Sequence, residues 1–238
     1  MFWCFMVIAL GIGSYPKGFH SKTPKHENTK TRKNSPMIST IIFDLGGVLI
    51  DWNPEYVFRD LIPDAERRRF FFENICTHDW NVEQDAGRLL ADATALLVAE
   101  HPDWEPEIRA YYDRWEDMLG GPISETVDLL REIRDSGEHR LLALTNWSHE
   151  TFPVALGRYE FLHWFEGIVV SGAEKTRKPF ADIYEILLDR YGVIPEEAVF
   201  IDDSLKNVEG AEAVGINGIH FQSPAALREI LREWKVPV

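Results

Sequence analysis

The chain has 238 residues, 45% hydrophobic and 27% charged, which suits one large soluble domain or one domain carrying an insert. Its net charge of −14 is uneven: residues 1–36 hold six Lys/Arg and one acid, so the remainder carries −19. A body this acidic excludes nucleic acid and anionic membrane surfaces as partners, and two cysteines, Cys4 and Cys76, exclude a disulfide framework or a Cys/His zinc cluster.

The cysteine usage fits a reducing, cytoplasmic setting, and stable membrane association is not expected. A small anionic substrate stays compatible with the charge, because a local site can oppose the global field. Oligomeric state is not legible.

Residues 1–36 begin with the apolar run MFWCFMVIAL and continue with the polar, basic SKTPKHENTKTRKNSP. The apolar run is too short to span a bilayer. It lacks a basic leading region and a small-x-small cleavage site. The expectation is a disordered or spurious extension, with translation starting at Met37; a targeting segment is the alternative. Either way it stands outside the fold.

From residue 38 onward, short apolar runs end in polar residues. STIIF leads into Asp44, RLLAL into Thr145 and Asn146, and GIVV into Ser171 and Gly172. AVFI leads into Asp202 and Asp203, and GIHF into Gln222. Such runs suit strands buried on both faces of a parallel sheet.

Helical patterns lie between them. ISETVDLLREIRDSG places Ile123, Val127, Leu130 and Ile133 at helical spacing, with Ser124 as N-cap and Gly137 as stop. FADIYEILLDRYG ends at Gly192, and SLKNVEGAEAVG and SPAALREILREW complete the alternation. The expected fold is α/β, a doubly wound parallel sheet. Residues 53–121 contain no strand-like run and read as a helical insert, with Gly120–Pro122 as the return hinge.

In open α/β sheets ligands bind beyond the carboxyl ends of the strands. Asp44, Thr145, Asn146, Asp202 and Asp203 all fall there, and Lys178 follows the third strand in EKTRKPF. Asp44 stands before Gly-Gly, which favours a nucleophilic carboxylate over a turn cap. Two adjacent acids after a buried strand are unfavourable unless a cation is near, which argues for metal binding at Asp202 and Asp203, with Asn207 in support.

The pieces FDLGGVL, LLALTN, RKPFADIY and VFIDDSLKNVEGA, in this order, resemble the haloacid dehalogenase (HAD) superfamily across residues 38–223. The resemblance implies a Rossmann-like core over residues 37–52 and 122–238, with residues 53–121 as a helical C1-type cap. DLGG with DDSLKN is most similar to phosphatases related to α-D-glucose-1-phosphate phosphatase.

A Mg²⁺-dependent phosphatase acting on a small phosphorylated metabolite, such as a sugar phosphate, is implied. Asp44 would attack phosphorus and form an aspartyl-phosphate, with Thr145 and Lys178 holding the phosphoryl group. Asp44, Asp202, Asp203 and the backbone carbonyl of Gly46 would hold the metal. Asn146, Trp147, Trp80 and Gln84 are the expected substrate contacts, with Asn81 and Asp85 also within reach of sugar hydroxyls.

One position departs from the pattern. The family's second Asp, its general acid and base, is Gly46 here. General acid–base help is worth roughly 10²–10⁴ in rate. Its loss is expected to favour activated leaving groups such as an anomeric oxygen. A 2-haloacid dehalogenase also lacks that second Asp, and a non-catalytic binding or regulatory protein would retain the scaffold; both stay open. A Schiff-base phosphonate hydrolase fits poorly, because residues 52–122 contain no lysine.

Overall fold

The structure, a computed structural model, describes residues 38–238. The expectations for residues 1–36 and for a start at Met37 lie outside the described residues.

The chain enters through β1 (Thr40–Phe43), whose four residues are all buried. β2 (Ile50–Trp52) follows a tight turn. Five helices come next: α1 (Glu55–Leu61), α2 (Ala65–Asn74), α3 (His78–Asp85), α4 (Leu90–Glu100) and α5 (Glu105–Asp113). β3 (Leu119–Pro122) brings the chain back. Then α6 (Ser124–Ser136), β4 (Arg140–Thr145), α7 (Phe152–Arg158), β5 (Gly167–Val170), the one-turn α8 (Ser171–Glu174) and α9 (Ala181–Tyr191) follow. β6 (Ala198–Asp202), α10 (Leu205–Ala213), β7 (Asn217–His220) and α11 (Pro224–Glu233) complete the fold.

Five strands form one parallel sheet in the order β5-β4-β1-β6-β7. The five strands expected from the sequence are these five. β1 is central, with β4 and β6 on its two sides, so the crossover direction changes at β1. A doubly wound sheet opens a crevice at that switch point. Side chains alternate between faces as the strand period of two requires. Ile41, Phe43, Ala143, Val199 and Ile201 join one apolar cluster, which continues into the insert through Phe58, Phe71 and Tyr111. Ile42, Leu142, Leu144 and Phe200 join another, covered by Tyr184 and Leu187 of α9.

The insert has an aromatic interior. Phe58 stacks on Phe71 at 4.9 Å between centroids, and Trp80 meets Tyr111 at 5.3 Å and Tyr112 at 5.4 Å. Helix α3 starts cleanly because the Thr77 hydroxyl accepts the Trp80 N–H at 3.1 Å.

Two local expectations change. Residues 119–122 form a strand rather than only a hinge: β3 pairs antiparallel with β2, Ile50 opposite Pro122 and Asp51 opposite Gly121. The sequence LGGP hides this, since Gly and Pro read as breakers. Ser124 is the first helical residue of α6 and not its cap; Ile123 takes the cap position with no side-chain bond. Pro179 lies in the loop before α9, which starts at Ala181. The stops at Gly137 and Gly192 are as expected, both left-handed.

Candidate active site

The site is built at the end of β1. The Asp44 N–H donates to Ile201 O at 2.8 Å, which fixes the first residue past the strand. The Leu45 N–H donates to Asp44 Oδ1 at 2.7 Å, so the carboxylate is aimed by its own turn. The turn closes through Gly47 N–H to Ile50 O at 2.9 Å. Gly47 has φ 73°, and a Cβ there would collide with the Asp203 carboxylate. Glycine at 47 therefore lets the β1 loop approach Asp203. At Gly46 the opposite holds: a Cβ would meet nothing within 4 Å.

Lys178 closes the arrangement. Its Nζ lies 2.9 Å from Asp44 Oδ1 and 2.7 Å from Asp202 Oδ2. It also donates to Leu144 O at 3.1 Å. The side chain is fully buried. Asn146 holds the Lys178 backbone at both ends: its Oδ1 accepts the Lys178 N–H at 2.9 Å, and its Nδ2 donates to Lys178 O at 3.1 Å. The side chain of Asn146 is thus engaged with the Lys178 backbone.

Asp202 is completely buried and accepts from Ser204 N–H at 2.7 Å. Asn207 Nδ2 reaches both of its carboxylate oxygens at 3.1 Å. Asp203 is the exposed member of the pair. Asp44, Asp202 and Asp203 each offer a carboxylate oxygen within 4.8 Å of the others. Thr145, the last residue of β4, is buried beside them in the same row of strand ends.

The electrostatics follow from gathering three acids, two of them buried, around one base. Burial is the main cause that pushes the Asp44 carboxyl up to about 8; Lys178 opposes this, and Asp202 and Asp203 add to it. Burial also works against the Lys178 charge, but Asp202 and Asp44 outweigh it and hold the ammonium protonated. Asp203 is raised by burial first and by Asp202 second. The three carboxylates supply an all-oxygen donor set with more negative charge than one lysine balances. That is the chemistry a hard divalent cation such as Mg²⁺ takes.

The insert residues stand differently. Gln84 is fully buried; its Nε2 donates to Trp80 O and Tyr112 Oη, both at 2.8 Å, and its Oε1 accepts from Arg88 at 2.7 Å. Its amide is therefore occupied inside the insert. Trp80 packs in the same aromatic cluster, and Asn81 accepts from Tyr112 Oη at 2.9 Å. Trp147 is buried against Trp115 and Phe152, and its indole N–H donates to Thr151 at 3.2 Å. It ties the return of the insert to the β4 loop.

Asp85, at the end of α3, does reach the core. The Ser148 N–H, Arg177 and Lys178 all favour the charged form of its carboxyl. Its backbone carbonyl accepts from Ser171 Oγ at 2.5 Å, and the same Oγ accepts the Trp147 N–H at 2.9 Å. Burial pushes the Asp85 carboxyl up to about 7 against those two cations and the Ser148 bond. Ser171 and Arg177 have no site role in the sequence expectations. A polar residue straight after GIVV and an arginine beside Lys178 are the signals that point to them.

The sequence profile of haloacid dehalogenase-like hydrolases matches residues 38–215, which span β1 through α10 and hold every residue of this site. The chain belongs to the haloacid dehalogenase-like hydrolases. Among relatives of this HAD-like hydrolase is a sesquiterpene phosphatase of Aspergillus oryzae, 28% identical over 81% of this chain and 94% of that one. A phosphorylated carbohydrates phosphatase of Thermotoga maritima is 35% identical over 77% of this chain and 84% of that one. A HAD family enzyme of Bacteroides thetaiotaomicron, in its magnesium complex, shares the fold with TM-score 0.64 at 20% identity, over 82% of this chain and 99% of that one. No helix among the described residues is long and apolar enough to cross a membrane.

Proposed function

We propose that this HAD-like hydrolase is a Mg²⁺-dependent phosphatase that cleaves a small phosphomonoester through a phosphorylated Asp44. A sugar phosphate is the substrate class put first. The observation that carries the proposal is the single buried Lys178 bridging Asp44 and Asp202, with Asp203 completing a cluster of acids at the strand ends. The phosphatase relatives support the same chemistry, and the carbohydrate phosphatase among them favours the sugar.

In this account Asp44 is the nucleophile, aimed by the Leu45 N–H. Lys178 and Thr145 hold the transferring phosphoryl group. Phosphoryl transfer depends mostly on positioning and charge neutralisation, and the buried ammonium supplies both. Asp44, Asp202, Asp203 and the Gly46 carbonyl would hold Mg²⁺, which when bound neutralises phosphate oxygens. Asn146 acts one step back, by fixing Lys178. Trp80, Gln84 and Trp147 shape the insert and its junction instead of touching substrate. Residues 53–121 serve as a C1-type cap over a core of residues 37–52 and 122–238, in a cytoplasmic protein whose partner is a phosphorylated metabolite.

The test is phosphate release from sugar phosphates, a terpenyl phosphate and p-nitrophenyl phosphate, with Mg²⁺ and with EDTA, for wild type and Asp44→Asn. Release that needs Mg²⁺ and is lost in the variant is expected. Silence on every phosphate, with chloride release from 2-chloropropionate, would move the chain to the dehalogenase chemistry.

A further inference from the structure

We propose that Ser171 is a positioning residue: its hydroxyl ties the end of β4, and through it Lys178, to the seated insert. The inference rests on the phosphatase proposal and adds the group that links insert and catalytic loops.

Ser171 is the first residue after β5 and is completely buried. A serine hydroxyl has one proton to give and lone pairs that accept. Both capacities are used here, on two separate stretches of backbone. Its Oγ accepts the Trp147 N–H at 2.9 Å and donates to the Asp85 carbonyl of the insert at 2.5 Å. The Trp147 N–H belongs to the same peptide unit as the Asn146 carbonyl. The Asn146 side chain grips the Lys178 backbone, by its N–H at 2.9 Å and its carbonyl at 3.1 Å. Lys178 Nζ in turn lies 2.9 Å from Asp44 Oδ1. A continuous series of polar contacts thus leads from the insert to the nucleophile, and Ser171 makes its first two links.

The backbone around the hydroxyl is closely packed. The Gly172 N–H donates to Trp147 O at 3.1 Å. A Cβ at Gly172 would lie 2.6 Å from His149 N and 2.8 Å from Trp147 O. A Cβ at Gly87, where φ is 98°, would lie 2.9 Å from Gly172 O. Glycine at both positions lets the turn after α3, the start of α8 and the loop after β4 meet backbone to backbone.

The β4 loop holds the insert at a second point. The Leu90 N–H opens α4, whose N-cap Leu89 offers no side-chain bond, and it donates to Glu150 Oε1 at 2.8 Å. That bond is exposed and ends on a long side chain, so it is a surface fastening. The Ser171 bonds instead join two backbones through one buried atom. A shift of the insert turn therefore moves the Asn146–Trp147 peptide, and with it the lysine. A misplacement of about 1 Å in a reacting assembly costs up to roughly 10²-fold in rate.

The experiment measures kcat and KM on p-nitrophenyl phosphate with Mg²⁺, with thermal melting as the check on folding. The proteins are wild type, Ser171→Ala, Ser171→Cys, Asn146→Ala and the double variant Ser171→Ala/Asn146→Ala. Ser171→Ala is expected to lower kcat by about tenfold to a hundredfold and to leave KM within about threefold. Ser171→Cys keeps a weak donor and acceptor in place and should turn over at least about threefold faster than Ser171→Ala. The double variant should lie within about threefold of the slower single variant, because both changes act through Lys178. Losses that multiply in the double variant overturn the role of Ser171 and leave the phosphatase intact. So does a Ser171→Ala protein that melts lower yet keeps the wild-type kcat. Should Ser171→Ala fail to fold, the same cycle with Ser171→Cys decides by the same criterion. A wild type silent on every phosphate overturns the phosphatase proposal and this inference with it.

Discussion

Lys178 and Asp44 meet inside the protein, ammonium nitrogen to carboxylate oxygen at 2.9 Å, although 134 positions of numbering separate the β1 loop from the loop before α9. The same nitrogen is 2.7 Å from the completely buried Asp202. One cation therefore supports two acids, and the site is an electrostatic unit before any substrate arrives. Removing one partner of a buried pair is far more damaging than removing both, because the survivor keeps its desolvation penalty without compensation.

Lys178→Ala should thus destabilise the protein by about 3–5 kcal/mol in urea unfolding. Adding Asp202→Asn should give back part of that loss. Strictly additive losses in the double-mutant cycle would contradict the shared-cation arrangement.

The two glycines of the β1 loop should behave differently. Gly47→Ala combines a left-handed φ of 73° with a collision at the Asp203 carboxylate. It is expected to lower stability by about 1–3 kcal/mol and to weaken Mg²⁺ protection against thermal unfolding. Gly46→Ala meets open space and should stay within about 0.5 kcal/mol of wild type. Thermal melts across a Mg²⁺ titration separate the two; equal behaviour would contradict the geometry of the turn.

Trp147 is expected to act on stability. Its ring fills a buried space between Trp115 and Phe152, and its N–H is bonded to Thr151. Trp147→Ala should cost about 3–5 kcal/mol by calorimetry, and Trp147→Phe clearly less. A Trp147→Ala protein with wild-type stability and a raised KM would return this residue to the substrate pocket.

Asp85 should leave a mark on the pH dependence of stability. Its carboxyl is raised from 3.8 to about 7 in the folded protein. Between those values the unfolded chain has released the proton that the folded chain retains, so stability falls as pH rises through that window and is level above it. Asp85→Asn removes this dependence. In metal-free buffer it should melt above wild type near about pH 8, by about 2–4 °C for each kcal/mol relieved, with the gap closing towards about pH 4. A gap that widens on acidification would contradict the raised carboxyl.

Much of this architecture was legible in the amino-acid order. Buried parallel strands read as continuous apolar runs, and each run from Thr40 to His220 ended in the polar residues that the sheet brings together. The positions of Asp44, Thr145, Asp202 and Asp203 follow from that rule, because a parallel sheet aligns its carboxyl ends, whereas Lys178, in the loop between α8 and α9, was legible only through the family resemblance. What stayed hidden depends on side-chain direction within helices and loops. Trp80 and Gln84 stand on the same helix as Asp85, yet only Asp85 meets the core, a matter of which face α3 turns inward. The β2–β3 pair was masked by Gly120, Gly121 and Pro122, whose strand character exists only through the partner Ile50–Trp52. Asn146 looked like a substrate contact because it follows Thr145, and only the fold shows its amide committed to the Lys178 backbone.

The central claim is that Asp44 carries the phosphoryl group at a site that needs Mg²⁺. It is tested most directly by phosphate release from a sugar phosphate by wild type and Asp44→Asn, each with Mg²⁺ and with EDTA. The account predicts release by wild type with Mg²⁺ and none in the other three conditions. Release by Asp44→Asn, or release undiminished by EDTA, would contradict it.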